Sequence, residues 1–371
     1  MLIRLRAAAA PPRLENLRRQ IATLGLSLAP VGYFPGTVYS VQPAGEHEPS
    51  SSAWQEARHM AEAMPEVLGF ITGPAELASR ELRPEGTRVR VAGTEIGGSE
   101  FVVIAGPCSV ESREQTLATA QAAAAAGARL LRGGAFKPRT STYAFQGLGR
   151  RGLEILAEAG RAAGLGVVTE VMSPEDVPLV ADYADMLQIG ARNMQNFPLL
   201  KRAGQQSKPI MLKRGPGATI AEWLAAAEYI LARGNDQVVL CERGIRTFET
   251  FTRNTLDIAA VAAVNELSHL PVLVDPSHAT GRRSLIASAS RAALAAGADG
   301  LCIEVHIRPE ESVSDREQTI SPDEFAALMA SLRPLASAVG RSLSRQRPPA
   351  TLNPTLVGAP GVPVRSARPA V

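Results

Sequence analysis

Cys108 stands in Gly106-Pro107-Cys108-Ser109, directly after the apolar run Phe101-Val102-Val103-Ile104. A strand that ends in Gly-Pro-Cys points its thiol beyond the carboxyl edge of a sheet. Asp275-Pro276-Ser277-His278 and Ile303-Glu304-Val305-His306 also follow short apolar runs, and Ser314-Asp315-Arg316-Glu317 lies just beyond. Cys108, His278, Glu304 and Asp315 would bring one soft and three harder donors from separate strand ends, the make-up of a divalent-metal site. The thiolate favours zinc or iron, and the carboxylates also admit manganese or cobalt. Taken singly, each residue has a simpler reading. A buried cysteine packs as a small hydrophobe, a buried histidine is satisfied by hydrogen bonds, and a buried glutamate pairs with an arginine. His306, two residues past Glu304, falls on the same side. His269 precedes its strand, at the opposite end, and reads as structural.

Cations follow the same placement. The segment Leu131-Arg132-Gly133-Gly134-Ala135-Phe136-Lys137-Pro138-Arg139-Thr140-Ser141 sets Arg132, Lys137, Arg139 and two hydroxyls in a glycine-opened loop suited to anionic oxygens. Glu170, Arg192, Lys213 with Arg214, and Arg243 end or follow further apolar runs. A lone Arg is ordinarily solvated. Cations gathered at one mouth repel each other unless polyanionic ligands neutralise them. Two phosphate-bearing substrates, or one phosphate and a carboxylate, meet that need.

The elements that must carry these residues are short apolar strands alternating with Ala-rich helices. Strands are expected at 101–105, 128–131, 166–170, 186–189, 209–212, 237–240, 272–274 and 300–303, with helices at 115–126, 152–163, 220–231 and 283–296. Eight such repeats predict an α/β protein built on a (β/α)8 TIM barrel, whose site lies at the carboxyl ends of the strands. A doubly wound sheet would need a Gly-rich phosphate loop after its first strand, and Gly-Pro-Cys-Ser is not one. Residues 1–73 read as β-α-β-β-α-β, a small ferredoxin-like domain. In it Met1, Ile3 and Leu5 alternate, Leu14, Leu17, Ile21 and Leu24 repeat at helical spacing, and Ser50-Ser51-Ser52 caps a second helix. Residues 74–98 form a connector with a hairpin at 88–91 and 94–96, residues 99–342 the barrel, and residues 343–371, rich in Pro, Arg and Ser, a disordered tail.

Composition bounds the function class. Of 371 residues, 39 are basic and 36 acidic, a net charge of +3 too balanced to imply nucleic acid. Three cysteines make no disulfide framework and favour a reducing cytoplasm. No uninterrupted apolar run is long enough to span a membrane.

The motifs at 105–111 (Ala-Gly-Pro-Cys-Ser-Val-Glu), 132–141, 146–149 (Gln-Gly-Leu-Gly), 188–193 (Gln-Ile-Gly-Ala-Arg-Asn), 241–248 (Cys-Glu-Arg-Gly-Ile-Arg-Thr-Phe), 274–278 and 303–306 occur in an order that resembles 3-deoxy-D-arabino-heptulosonate 7-phosphate (DAHP) synthases. The match is to the beta branch of type I, over residues 81–343. The resemblance implies condensation of phosphoenolpyruvate with erythrose 4-phosphate, releasing phosphate, as the first step of the shikimate pathway. It places Cys108, His278, Glu304 and Asp315 as ligands of one divalent metal, Arg132 and Lys137 at the phosphoenolpyruvate carboxylate, and Arg192, Lys213 and Arg243 at its phosphate. Arg139 and Thr140 fall at the erythrose 4-phosphate site. Lys137, Glu170 and His278 are the catalytic candidates, with Lys137 protonating the new alkoxide and Glu170 holding water. The resemblance further implies an amino-terminal domain responsive to tyrosine or phenylalanine and a homo-oligomer, a tetramer or dimer. Rivals are the sister synthase using arabinose 5-phosphate, which has Lys-Ala-Asn-Arg-Ser where this chain has Lys-Pro-Arg-Thr, a Schiff-base aldolase using Lys137 or Lys213, and a non-catalytic regulatory paralogue.

Overall fold

A computed structural model of the chain describes residues 1–6, 10–31, 38–45, 49–71, 75–137 and 145–344. The amino-terminal elements are β1 (Leu2–Leu5), α1 (Pro11–Ala22), β2 (Leu26–Pro30), β3 (Val38–Pro43), α2 (Ser51–Glu62) and β4 (Val67–Ile71). They follow the expected β-α-β-β-α-β order. Their antiparallel sheet runs β2-β3-β1-β4, with Ile3, Leu17, Ile21, Leu26 and Val41 in its own core. Ser50 caps α2 by accepting from Ala53 N, as its position before the apolar stripe predicts.

A hairpin of β5 (Val89–Val91) and β6 (Thr94–Ile96) leads into the barrel. The barrel strands are β7 (Glu100–Gly106), β8 (Leu130–Arg132), β9 (Gly166–Val171), β10 (Met186–Ile189), β11 (Ile210–Lys213), β12 (Val238–Glu242), β13 (Val272–Val274) and β14 (Gly300–Glu304). Each pairs in parallel with its successor, and β14 pairs back onto β7 to close the ring. All eight expected strands are present, displaced by no more than two residues at either end. Val89, Val91 and Ile96 of the hairpin pack with Val102, Met186, Met211 and Cys302 in the barrel interior, sealing the end remote from the candidate residues.

The helices are α3 (Arg113–Ala126), α4 (Arg150–Ala163), α5 (Val177–Tyr183), α6 (Phe197–Gly204), α7 (Ile220–Leu231), α8 (Ile258–Leu267), α9 (Pro276–Thr280), α10 (Ile286–Ala295) and α11 (Pro322–Ala338). Two details correct the sequence reading. The helix expected from 283 begins as a 3-10 turn, Arg283–Leu285, and turns α-helical only at Ile286. The tail expected to be disordered from 343 starts with a paired strand, β15 (Ser342–Leu343), because the edge of β7 at Glu100 and Phe101 offers it a parallel partner. Residues 345–371 lie outside the described residues.

Candidate active site

Cys108 follows β7 through Gly106, whose φ of +155° brings the chain so close to the Arg132 carbonyl that a Cβ there would overlap it. The turn drops the thiol, 1% exposed, between Asp315 and Lys137. Cys108 Sγ donates to Asp315 Oδ2 at 3.2 Å, and Lys137 Nζ donates to both Cys108 O and Sγ at 2.9 Å. Burial first, then Glu304 and Asp315, push the thiol up to about 12 against the opposing pull of Lys137 and Arg132. Without a metal the sulfur is therefore a thiol.

Donor atoms of Cys108, Glu304 and Asp315 lie within 4.8 Å of one another. His278 stands at the edge of this cluster, its Nε2 3.3 Å from Glu304 Oε1. Its Nδ1 donates to Asp275 Oδ2 at 2.8 Å, which leaves Nε2 as the free lone pair. Burial lowers the His278 pKa despite Asp275 and Glu304, so the ring is a neutral donor. Glu304 Oε1 is buried without a hydrogen bond, although Arg132 Nη2 approaches to 3.1 Å. An orphaned buried carboxylate oxygen beside a thiol and a neutral imidazole suits a divalent ion well.

Asp315 itself has φ +51°, in the left-handed region that aspartate tolerates better than most residues. Its loop is clamped from behind. Glu111 Oε1 accepts from Val313 N at 3.0 Å and from Ser312 Oγ at 3.3 Å, and the hydroxyls of Ser109 and Ser314 meet at 2.7 Å. His306, expected beside Glu304, instead reaches away to Glu111, with Nε2 3.4 Å from its Oε2. It supports the loop rather than the cluster. Thr87 Oγ1 and Leu77 O, each 2.7 Å away, hold His269 at the sealed end, in keeping with its structural reading.

The cations surround a cavity of about 350 Å³ lined by Lys137, Glu170, Arg192, Lys213 and Arg243 as well as by His278 and Asp315. Arg132 is buried just beneath, and its Nη1 has no hydrogen-bond partner. Lys213 ion-pairs with the fully buried Asp275. Burial works against the Lys213 charge, but Asp275 outweighs it and raises its pKa. Arg243 makes no hydrogen bond or ion pair among the described residues, and burial lowers its pKa in spite of Asp275. Glu170 Oε2 accepts from Gln188 Nε2 at 3.4 Å, and Oε1 lies so near Gly190 that a side chain there would displace it. Arg214 does not join the mouth. It is spent on Glu242 and Asp257, both at 2.9 Å. Arg139 and Thr140 lie outside the described residues.

The sequence pattern of the DAHP synthetase I family matches residues 85–339, more than half of the chain. The chain belongs to that family. Over 267 residues it is 53% identical to the phospho-2-dehydro-3-deoxyheptonate aldolase of Thermotoga maritima, an alignment covering 72% of this chain and 79% of that protein. A crystal structure of the Thermotoga maritima phospho-2-dehydro-3-deoxyheptonate aldolase (DAHP synthase) superposes with a TM-score of 0.72 at 42% identity, covering 92% of this chain and 98% of that one. The 2-dehydro-3-deoxyphosphooctonate aldolase of Syntrophotalea carbinolica is 32% identical over 255 residues, 64% of this chain and 91% of that protein.

In this DAHP synthetase I family member the sequence reading missed Asp275, which serves Lys213 and His278 together. Its signal was present: an Asp directly before Pro276, at the amino terminus of a helix too short to show periodicity. Gln188, within the motif at 188–193, touches Glu170, a contact that the sequence pattern does not reveal.

Proposed function

We propose that the protein is a 3-deoxy-7-phosphoheptulonate synthase, condensing phosphoenolpyruvate, erythrose 4-phosphate and water to 3-deoxy-D-arabino-heptulosonate 7-phosphate and phosphate. The observation that carries this reading is one mouth holding both a metal-donor cluster and a buried cation cage. The reaction needs both, and the 53% identical relative shares the expected chemistry by name.

Cys108, His278, Glu304 and Asp315 would hold the metal, which when bound supplies a Lewis acid for the aldehyde carbonyl. Manganese, iron, cobalt and zinc all suit this donor set. Arg132, through its free Nη1, and Lys137 take the phosphoenolpyruvate carboxylate. Arg192, Lys213 and Arg243 take its phosphate, and Arg139 and Thr140 the phosphate of the aldose. The third carbon of phosphoenolpyruvate then attacks the aldehyde, and positive charge develops at the second carbon. Glu170 orients the water that adds there, and collapse of the adduct releases phosphate. Lys137, held by Cys108 O and Sγ, stands where it can pass a proton to the aldehyde oxygen.

Two outcomes test this. Lys137→Met should lower kcat by about 10²–10⁴-fold in initial-rate assays with both substrates, and full activity in that variant would remove its role. Exhaustive chelation should abolish turnover, and added Mn²⁺ should restore it. Arabinose 5-phosphate outcompeting erythrose 4-phosphate would favour the sister reaction, to which the 32% identity gives weaker support. Residues 1–73 are the domain we assign to an aromatic amino-acid effector, tyrosine or phenylalanine. The Thermotoga maritima DAHP synthase structure covers 92% of this chain and a truncated form of that synthase 73%, so the likeness extends beyond what the truncated form retains. A cytoplasmic homo-oligomer, a tetramer or dimer, completes the reading. Three free cysteines agree with that compartment.

A further inference from the structure

Three of the four metal-donor residues have one atom already engaged away from the cluster. His278 Nδ1 is bound to Asp275 Oδ2 at 2.8 Å. Glu304 Oε2 accepts from Gln318 Nε2 at 2.7 Å, and Asp315 Oδ1 accepts from Arg253 Nη1 at 3.1 Å. The same Arg253 Nη1 donates to Gln318 Oε1 at 3.0 Å. One guanidinium thus reaches Asp315 directly and Glu304 through Gln318, a side chain in a residue only 2% exposed. The oxygens left over, Glu304 Oε1 and Asp315 Oδ2, are those beside His278 Nε2 and Cys108 Sγ.

The segment carrying Arg253 is also laced to the helix carrying His278. Arg253 N donates to Thr280 O at 3.0 Å, Asn254 N to Ala279 O at 2.9 Å, and Asn254 Nδ2 to His278 O at 3.1 Å. Gly281, at φ +65°, has no room for a Cβ against Arg253 Cβ. The loop between β12 and α8 therefore ties together ligands delivered by β13, β14 and the loop after β14.

We infer that Arg253 is a positioning residue for the metal ligands, fixing by its two hydrogen bonds which oxygen of Asp315 and, through Gln318, of Glu304 faces the ion. Partners of this kind hold ligand orientation, and losing one typically costs about 10–100-fold in metal affinity. The inference rests on the metal reading above and assigns a role outside the four donors. Arg253 is partly exposed at the cavity wall, so its replacement leaves the barrel core intact.

The test is titration of the metal-free, full-length protein with Mn²⁺, reading free ion by electron paramagnetic resonance. Arg253→Met should raise the Mn²⁺ Kd by about 10–100-fold, Arg253→Lys should recover part of the loss through a single contact to Asp315, and phosphoenolpyruvate affinity of the metal-free protein should hold within about 2-fold. An unchanged Mn²⁺ Kd in Arg253→Met would overturn the inference. So would an unchanged Kd with a raised KM for either substrate, which would make Arg253 a substrate ligand. If the wild type bound Mn²⁺ no better than Cys108→Ser, the metal reading itself would fall, and the inference with it.

Discussion

Cys108→Ser should weaken divalent-metal binding by about 100-fold or more and reduce turnover with it, while phosphoenolpyruvate binds the metal-free variant with near-native affinity. The two ligands separate because the cations that would take phosphoenolpyruvate are different residues from the metal donors, although the two groups touch. Arg132 is held by Glu304 and Lys213 by Asp275, and Lys137, which donates to Cys108 Sγ, keeps its second bond to the Cys108 carbonyl when the sulfur is replaced. A serine hydroxyl fits the space but does not ionise to match a thiolate's affinity for a borderline ion. The proton makes the prediction sharper. With the thiol pushed up to about 12, binding of a metal to sulfur must release one proton anywhere near neutrality. Wild-type affinity should therefore rise as pH rises, by about tenfold per unit between pH 6 and 8 for one proton released, and Cys108→Ser should flatten that slope. Isothermal titration with Mn²⁺ or Zn²⁺ at three pH values measures both effects. Normal affinity with an unaltered slope in the serine variant would place the sulfur outside the coordination shell.

The barrel was legible because buried parallel strands read as near-continuous apolar runs, as in Met186-Leu187-Gln188-Ile189 and Val272-Leu273-Val274. The helix expected at 220–231 is α7, and the structure adds its Thr219–Glu222 capping box. What escaped had no such run. The five-residue α9 is shorter than two helical turns, and β15 exists only because the edge of β7 is there to pair with. The same divide holds at the site. Cys108, Glu304 and Lys213 were readable because the end of a parallel strand can face only one way. Arg214, one residue past Lys213, reads as a further cation of the mouth, yet its Nη1 is held by Glu242 and Asp257 and its Nε by the Ala218 carbonyl. His306 likewise shares a side with Glu304 in sequence but turns to Glu111. Arg253 and Gln318 carry no local mark at all, since their meeting depends on two loops that converge only in three dimensions.

Asp275→Asn should be strongly destabilising and should also weaken metal binding. The residue is fully buried and accepts from Lys213 Nζ, His278 Nδ1 and His278 N. Burial alone would raise its carboxyl pKa, but His278 and Lys213 hold it well below the usual carboxylate range. Asparagine keeps the volume and discards the charge, leaving Lys213, 4% exposed, as an uncompensated buried ammonium. Breaking a buried pair in this way costs about 3–5 kcal/mol, to be read by urea unfolding of the metal-free protein so that no bound ion adds stability. The imidazole loses its anchor at the same time, so metal affinity should fall by a further 10–100-fold or so. A double-mutant cycle separates the two effects. Lys213→Met combined with Asp275→Asn should recover much of the stability, because no charge is left stranded, but none of the metal affinity. Additive losses of stability in the double variant would mean that Lys213 and Asp275 do not depend on each other.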